Sequence, residues 1–345
     1  DLKRLLTSKK DNVDGFKIAQ NGTDVLFDRN EVHEIYREWR KVFNEYDPPK
    51  FAVAEAYVQA KRRMLYARPD ELGQAFNFDL LGAAYDAKDF KRIITENLKL
   101  AKSEGSSSTW VFNNHDRVRH STRYGLPKNV DLRMWLLSDG KSVKLDRELG
   151  LQRARAATLM LLALPGCTYL YQGEELGLFE VEDLKHDDLQ DPNWFRNVVP
   201  MVRKEKPSGL ALVHTDKGRD GCRVPLPWSP VGKSFGFSKS GKSHLPQPAS
   251  FKEFAVDMQK GIKGTTLEMH RDALKLRKIL QTEEELKWVK TTSSEVIHFA
   301  RPNGWNCIMN FNGAPYKMPK GEILMASGPL KNGKIPANTT IWFKA

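Results

Sequence analysis

Short apolar runs alternate with longer amphipathic stretches along residues 1–285. The short runs predict β-strands, and the stretches with apolar residues at helical spacing predict α-helices. The predicted strands span residues 13–19, 51–57, 75–81, 109–113 and 168–172, and the predicted helices span residues 31–43, 61–67, 89–102, 148–164 and 265–280. This repeated strand–helix order favours an α/β architecture with a parallel sheet and helical crossovers.

Polar side chains gather at the predicted carboxyl ends of these otherwise apolar strands. They are Glu55, Asn77, Asp79, Asn114, His115, Asp116, Glu174 and Glu175. In a parallel barrel the loops at that end of the strands build the active site. Because buried charges without partners are costly, the pattern favours a site at the rim over a role in the core.

The pattern changes twice further along the chain. Residues 182–247 are long, irregular and rich in Pro, Gly and Asp, which predicts functional loops. After residue 285, short strands at 296–300, 306–310, 322–325 and 340–343 alternate with glycine-containing turns. This spacing predicts a small antiparallel β-domain. We therefore predict two domains, residues 1–285 and residues 286–345.

The composition is that of an ordinary globular protein. The 345 residues include 55 Lys and Arg against 43 Asp and Glu, a net charge of +12, but no dense basic block predicts a nucleic-acid partner. The longest apolar stretch, residues 156–164, is too short to predict a membrane span. Cys167, Cys222 and Cys307 lack metal-ligand spacing, and together with the absence of a secretory signal they predict a cytoplasmic protein without a metal site.

Two of the strand-end acids suit one kind of chemistry. Glu55 ends one predicted strand, and Asp116 follows another just after His115. Glycoside hydrolysis uses a pair of carboxyl groups that flank the scissile bond, in which one acid is protonated and the other stays ionised. Two acids on one rim could supply that pair. A glutamate at a strand end can equally form a structural ion pair, and a single histidine is commonly a hydrogen-bonding group.

Four segments in this order carry recognisable motifs: Val13-Asp14-Gly15-Phe16-Lys17-Ile18, Val53-Ala54-Glu55-Ala56-Tyr57, Trp110-Val111-Phe112-Asn113-Asn114-His115-Asp116 and Tyr171-Gln172-Gly173-Glu174-Glu175-Leu176-Gly177. A loop at residues 218–223, followed by Pro225-Leu226-Pro227-Trp228, adds a fifth match. With these motifs the chain resembles the C-terminal part of glycoside hydrolase family 13, the α-amylase superfamily. The resemblance is greatest to actinobacterial α-glucosidases and oligo-1,6-glucosidases.

The resemblance implies a retaining hydrolase that acts on α-glucosides or malto-oligosaccharides through a covalent glucosyl-enzyme, without a cofactor. Glu55 matches the general acid/base, and Asp116 matches the carboxylate that stabilises the cationic transition state. His115 matches a ligand of sugar hydroxyls, and Arg219 matches the loop arginine that holds the non-reducing end.

Aromatic residues within or between these motifs could supply a wall on which a sugar ring stacks. Tyr57, Phe112 and Phe76 are the candidates. Ordinary packing in the core explains each of them equally well.

The first departure from the family pattern concerns the nucleophile. The family motif on its fourth strand reads Gly-Phe-Arg-Ile-Asp, whereas this chain reads Gly15-Phe16-Lys17-Ile18-Ala19. The methyl group of Ala19 cannot attack an anomeric carbon. Lys17 retains a positive charge at the binding position but lacks the planar, two-pronged donor of arginine.

The second departure concerns length. The first residues read as the middle of a helix, and the resemblance covers strands four to eight only, so we expect a fragment. The predicted fold is a partial (β/α)8 barrel with a C-terminal antiparallel β-domain. A further N-terminal segment or another protomer would complete the barrel.

Two hypotheses follow from these departures. The first is an α-glucosidase that is impaired in this chain. The second is a catalytically inactive family member that serves as a carbohydrate-binding or scaffold protein.

Overall fold

The computed structural model describes residues 21–24, 27–202, 210–311 and 313–345. The α-helices are α1 (Val32–Phe43), α2 (Ala60–Tyr66), α3 (Asp79–Gly82), α4 (Ala87–Ser103), α5 (His120–Gly125), α6 (Leu132–Leu137), α7 (Arg147–Ala163), α8 (Pro192–Arg196), α9 (Phe251–Phe254) and α10 (Thr266–Leu280). The strands are β1 (Ala52–Ala54), β2 (Gly73–Ala75), β3 (Thr109–Trp110), β4 (Cys167–Thr168), β5 (Val198–Val202), β6 (Leu210–His214), β7 (Lys287–Trp288), β8 (Val296–Ala300), β9 (Trp305–Asn310), β10 (Tyr316–Lys317), β11 (Glu322–Ala326), β12 (Lys334–Ile335) and β13 (Thr339–Lys344).

The five predicted helices are present as α1, α2, α4, α7 and α10. Their ends follow local signals, since the Asp146 side chain accepts the Leu149 N–H at the start of α7 and Thr265 caps Glu268 at the start of α10. The predicted strand 13–19, with Lys17 and Ala19, lies outside the described residues.

The prediction of a strand over residues 75–81 was wrong for every residue after Ala75. β2 ends at Ala75, and Asn77 Oδ1 accepts the Asp79 N–H at 2.9 Å, where the short helix α3 begins. A side chain that bonds the backbone two residues on favours a turn over an extended strand. The irregular stretch 182–247 also contains α8 and the antiparallel hairpin β5–β6, which its loop-like composition did not predict.

The chain divides into two compact units. Within the described residues, the smaller unit comprises residues 21–24, 27–76 and 95–109. In it β1 pairs in parallel with β2, which confirms the predicted parallel pairing for these strands. The apolar face of α1 contributes Val32, Tyr36 and Phe43 to a small core around Tyr66 and Leu72. This core supports the strand end at which Glu55 lies.

The larger unit comprises residues 77–94 and 110–345, and α7 lies at its centre with almost its whole second half buried. A five-stranded antiparallel sheet has the order β11-β13-β9-β8-β7, which confirms the predicted antiparallel strands. Strand β13 contacts α7 directly: Thr340 Oγ1 donates to the Ala156 carbonyl at 2.7 Å, and Trp342 Nε1 donates to the Leu159 carbonyl at 3.0 Å. The domain boundary between residues 285 and 286 remains a prediction.

Candidate active site

Asp116, in the larger unit, is held between two guanidinium groups. Its Oδ1 accepts from Arg219 Nη1 at 2.7 Å and from Arg223 Nη2 at 3.0 Å. Its own backbone N–H donates to Asn114 Oδ1 at 3.0 Å, and His115 Nε2 lies 3.5 Å from Asp116 Oδ1. The other oxygen, Oδ2, accepts no hydrogen bond from the described residues, so it is available to a ligand.

The loop that supplies Arg219 is anchored on a second, buried carboxylate. Asp191 Oδ2 accepts from Arg219 Nε at 2.6 Å and from the Arg219 backbone N–H at 2.7 Å. Gly218 adopts φ of +83°, and a Cβ there would lie only 2.7 Å from the Asp191 Cβ. The glycine therefore permits both the left-handed turn and the close approach of Asp191.

These contacts fix the charges on both side chains of the pair. Burial alone would raise the pKa of Asp191, but hydrogen bonds from the Arg219 side chain and from backbone N–H groups outweigh it and hold the pKa at about 2. The same pairing with Asp191, and secondarily with Asp116, raises the pKa of Arg219 above its usual value. Arg219 is thus a permanently charged link between two carboxylates.

Behind Asp116, a buried polar network fixes the end of the same segment. Asn113 Nδ2 donates to Glu174 Oε2 at 2.8 Å, and Asn113 Oδ1 accepts the His120 N–H at 2.6 Å. Thr158 Oγ1 donates to Glu174 Oε1 at 3.1 Å. Burial raises the pKa of Glu174 to about 7 despite these hydrogen bonds, and burial lowers the pKa of His120 well below its usual value. Hydrogen-bond donors inside the core thus satisfy the carboxyl group of Glu174. The prediction that Glu174 lies at the rim of the strand ends was therefore wrong.

A cavity of 390 Å³ opens beside Asp116, within the larger unit. Arg219, Gly218 and Cys222 line it together with Glu180, whose Oε2 accepts the Arg119 N–H at 3.0 Å. Burial raises the pKa of Glu180 to about 7, and burial also raises the pKa of the Cys222 thiol. The cavity volume is typical of small-molecule sites.

Glu55 lies in the smaller unit, directly after β1, and its side chain is exposed. Tyr57 Oη donates to Glu55 Oε1 at 3.5 Å. Both residues line a cavity of 410 Å³ whose walls include the aromatic side chains of Tyr36 and Trp39. An exposed acid among aromatic rings suits contact with a sugar.

Phe112 and Tyr57, the two aromatic candidates for stacking on a sugar, differ in their exposure to solvent. Phe112 is fully buried, stacks on His120 with ring centroids 5.6 Å apart, and contacts Phe90. A side chain with no exposed surface cannot stack on a sugar. Phe112 is therefore a core residue, which agrees with the alternative that it packs in the core. Tyr57, by contrast, is 61% exposed.

The functional contacts that sequence reasoning missed are Asp191 and the second cation on Asp116, Arg223. Asp191 carries a detectable signal, because it precedes Pro192 and its side chain caps the Asn193 N–H, as expected at a helix start. Arg223 lies within the predicted loop 218–223, but nothing in its spacing indicated which acid it would contact.

No group of three or more His, Cys, Asp and Glu side chains in the described part of the chain is arranged to hold a metal ion. None of the helices assigned there has the length and the apolar character that crossing a membrane requires.

Comparisons with known proteins identify the family. The solved structure of the alpha-glucosyl transfer enzyme XgtA superposes with a TM-score of 0.67 at 24% identity, over 91% of this chain and 54% of that one, which shows a shared fold. The family model "Alpha amylase, catalytic domain" matches residues 4–285. The chain therefore belongs to the α-amylase family, glycoside hydrolase family 13, as its motifs predicted.

Relatives within the family carry α-glucosidase names. The chain is 29% identical over 301 residues to a probable alpha-glucosidase of Rhizobium meliloti (strain 1021), covering 82% of this chain and 46% of that protein. It is 25% identical over 277 residues to an oligo-1,6-glucosidase of Parageobacillus thermoglucosidasius, covering 75% of this chain and 45% of that protein. The chain thus spans less than half the length of these two relatives.

Proposed function

We propose that this chain carries two of the catalytic carboxyl groups of a retaining α-glucosidase that acts on α-linked gluco-oligosaccharides. These are the general acid/base and the carboxylate that stabilises the transition state, and the chain lacks the nucleophile. The observation that carries the proposal is Asp116, which is fixed by Arg219 and Arg223 beside a sugar-sized cavity while one of its oxygens stays open. The α-glucosidase names of the two relatives support the substrate class.

Each remaining residue takes a role that its chemistry allows. Glu55 would protonate the leaving oxygen and then deprotonate the attacking water, with Tyr57 as its neighbour. Asp116 would stabilise the oxocarbenium-like transition state. His115 and Arg219 would hold sugar hydroxyls beside it.

The nucleophile position accounts for the impaired activity that we propose. Ala19 stands where the family motif has an aspartate, and Lys17 stands where the motif has an arginine. Without an attacking oxygen no glucosyl-enzyme forms. Removing a nucleophile from a comparable covalent mechanism lowers turnover by several orders of magnitude.

We extend the proposal to architecture and setting. Residues 1–285 would form barrel strands with their helices, a segment or protomer outside this chain would complete the barrel, and residues 286–345 would form the β-domain. The three cysteines are free thiols, which supports a reducing cytoplasmic setting.

Rescue by an external nucleophile tests the proposal. The protein is mixed with 4-nitrophenyl α-glucoside with and without sodium azide. Azide would attack the anomeric carbon from the face that the missing aspartate would use, forming the carbon–nitrogen bond while the bond to nitrophenolate breaks. We expect nitrophenolate release to rise about tenfold or more and β-glucosyl azide to accumulate.

A matched variant shows whether rescue uses the proposed site. Asp116→Asn should abolish the azide effect, because the transition-state charge is then left without its carboxylate. A folded protein that shows no rescue and does not bind maltose would contradict the proposal.

A second candidate function is carbohydrate binding without catalysis. The substitution at Ala19 favours it, since a site that has lost its nucleophile can still bind a sugar. Maltose binding without any azide rescue would support this function over the impaired hydrolase.

A further inference from the structure

The cavity beside Asp116 has an excess of positive charge. Six cationic side chains line it, against the three carboxyl groups of Asp116, Glu180 and Asp216. Asp116 is already paired with two arginines, and burial keeps the pKa of Glu180 at about 7, so it is only partly ionised near neutral pH. The acids that line the cavity therefore do not neutralise all of its cations, although Asp191 and Asp86 pair with two of them, Arg219 and Lys128.

Two of these cations have no counter-charge in the described residues. The guanidinium groups of Arg117 and Arg133 are exposed, and neither makes a hydrogen bond or an ion pair with any residue that the structure describes. Arg123, deeper in the wall, donates only to the backbone carbonyls of Leu81 and Phe112, and its buried Nε has no partner. The charge of Arg123 is thus not neutralised by its own hydrogen bonds.

The same wall contains a cation that is already neutralised. Lys128 Nζ lies 2.7 Å from Asp86 Oδ2. It lines the same cavity as Arg117 and Arg133 and differs from them in having an acidic partner. Lys128 is therefore a matched control for charge at this wall.

Position relates these cations to the candidate active site. Arg117 follows Asp116 directly in the chain, and Arg133 extends into the cavity from α6. The cavity also has apolar walls, among them Leu126 and Leu132. A cavity with apolar walls and unpaired guanidinium groups suits a sugar that carries an anionic substituent, since arginine binds phosphate through two parallel hydrogen bonds.

We propose that the cavity beside Asp116 binds a phosphorylated sugar, with Arg117 and Arg133 as ligands of the phosphate group. This inference rests on the proposed function, because it names the substrate class of the same site. Glucose 6-phosphate is the simplest probe that combines a hexose with a phosphate.

Calorimetric titration of the whole chain tests the proposal with four ligands: glucose 6-phosphate, glucose, inorganic phosphate and maltose. We expect glucose 6-phosphate to bind about tenfold more tightly than glucose or phosphate at low ionic strength, with an advantage that shrinks as salt is added. Arg117→Gln and Arg133→Gln should each remove most of that advantage. Lys128→Gln should change the affinity by less than about twofold.

The outcomes separate this inference from the proposed function. Equal affinity for glucose 6-phosphate and glucose, with maltose still bound, would overturn the phosphate site and leave the proposed function intact. Equal affinity for glucose 6-phosphate and inorganic phosphate would reduce the site to a simple anion site and also overturn it. If no sugar binds and azide gives no rescue, the proposed function fails and this inference fails with it.

Discussion

Arg219 joins Asp191 to Asp116: its Nε lies 2.6 Å from Asp191 Oδ2, and its Nη1 lies 2.7 Å from Asp116 Oδ1. The buried member of the trio is Asp191, whereas Asp116 is partly exposed at the cavity. A planar guanidinium can serve two carboxylates at once, which a lysine ammonium on a flexible stem does less well. The buried aspartate therefore determines where the exposed one can lie.

The first prediction concerns Asp191→Asn. The amide carries no charge to pair with Arg219, so we expect the free energy of unfolding to fall by about 2 kcal/mol at pH 7. Because the folded pKa of Asp191 is about 2, below an unfolded value of about 4, its contribution is fully present above pH 4. The difference between the two proteins should therefore disappear as the pH falls from about 4 to about 2.

Urea titration at several pH values measures this effect, and Asp187→Asn is its control. Asp187 is an exposed aspartate on the short turn just before Asp191, and its side chain makes no hydrogen bond with the described residues. We expect that control to change stability by less than about 0.5 kcal/mol. Equal effects of the two substitutions would show that the link to Arg219 contributes nothing to stability.

The second prediction concerns the buried carboxyl group of Glu174. Its folded pKa of about 7 lies above the unfolded value of about 4.3, so its stabilising contribution is present at low pH and is lost as the pH rises to about 7. Glu174→Gln mimics the protonated acid at every pH. We expect the variant to match the wild type near pH 4 and to exceed it at pH 8, by on the order of 3 kcal/mol.

The measurement is the free energy of unfolding at pH 4, 6 and 8. Glu253→Gln serves as the control, because Glu253 is exposed on α9 and should show no such pH dependence. A Glu174→Gln variant that is less stable than the wild type at pH 8 would mean that the ionised carboxylate is the form that this network stabilises.

The third prediction concerns the contact between the antiparallel sheet and α7. Trp342 is fully buried, packs with Trp305 at 5.2 Å and donates to the Leu159 carbonyl. Trp342→Phe removes that hydrogen bond and leaves a small cavity, so we expect a loss of about 1–3 kcal/mol in urea. Trp228→Phe, at a half-exposed tryptophan, should cost less than about 0.5 kcal/mol. If both variants lose the same small amount of free energy of unfolding, the contact between the sheet and α7 does not stabilise the protein, and the prediction is contradicted.

Much of the fold could be predicted from the sequence because its signals are local. Helical periodicity placed α1, α4 and α10, since an amphipathic face repeats over three or more turns. The helix α7 has no such face, and it was placed by its long apolar run that ends at Pro165-Gly166. Strand ends were less accurate, because the apolar runs continue beyond the paired residues. The hairpin β5–β6 was missed because its pairing joins two segments that no local pattern links.

The candidate site was predictable only in part, for a different reason. Asp116 and Arg219 were both identified through motifs, and the structure brings them together. Their links to Asp191 and Arg223 join segments far apart in sequence, which no local pattern encodes. Phe112 and Glu174 show the opposite case, because residues within a motif can belong to the core.

The central claim is that an alanine stands at the nucleophile position of the family motif, while Glu55 and Asp116 carry the two other catalytic roles that we propose. The most direct measurement is the activity of Ala19→Asp combined with Lys17→Arg on 4-nitrophenyl α-glucoside, with the anomer of the released glucose followed by proton NMR. We predict turnover about 1,000-fold or more above the unmodified chain, with α-glucose as the first product. Adding Asp116→Asn to the repaired chain should remove that gain. A repaired chain that folds and binds maltose but shows no turnover would contradict the roles proposed for Glu55, Asp116 and position 19.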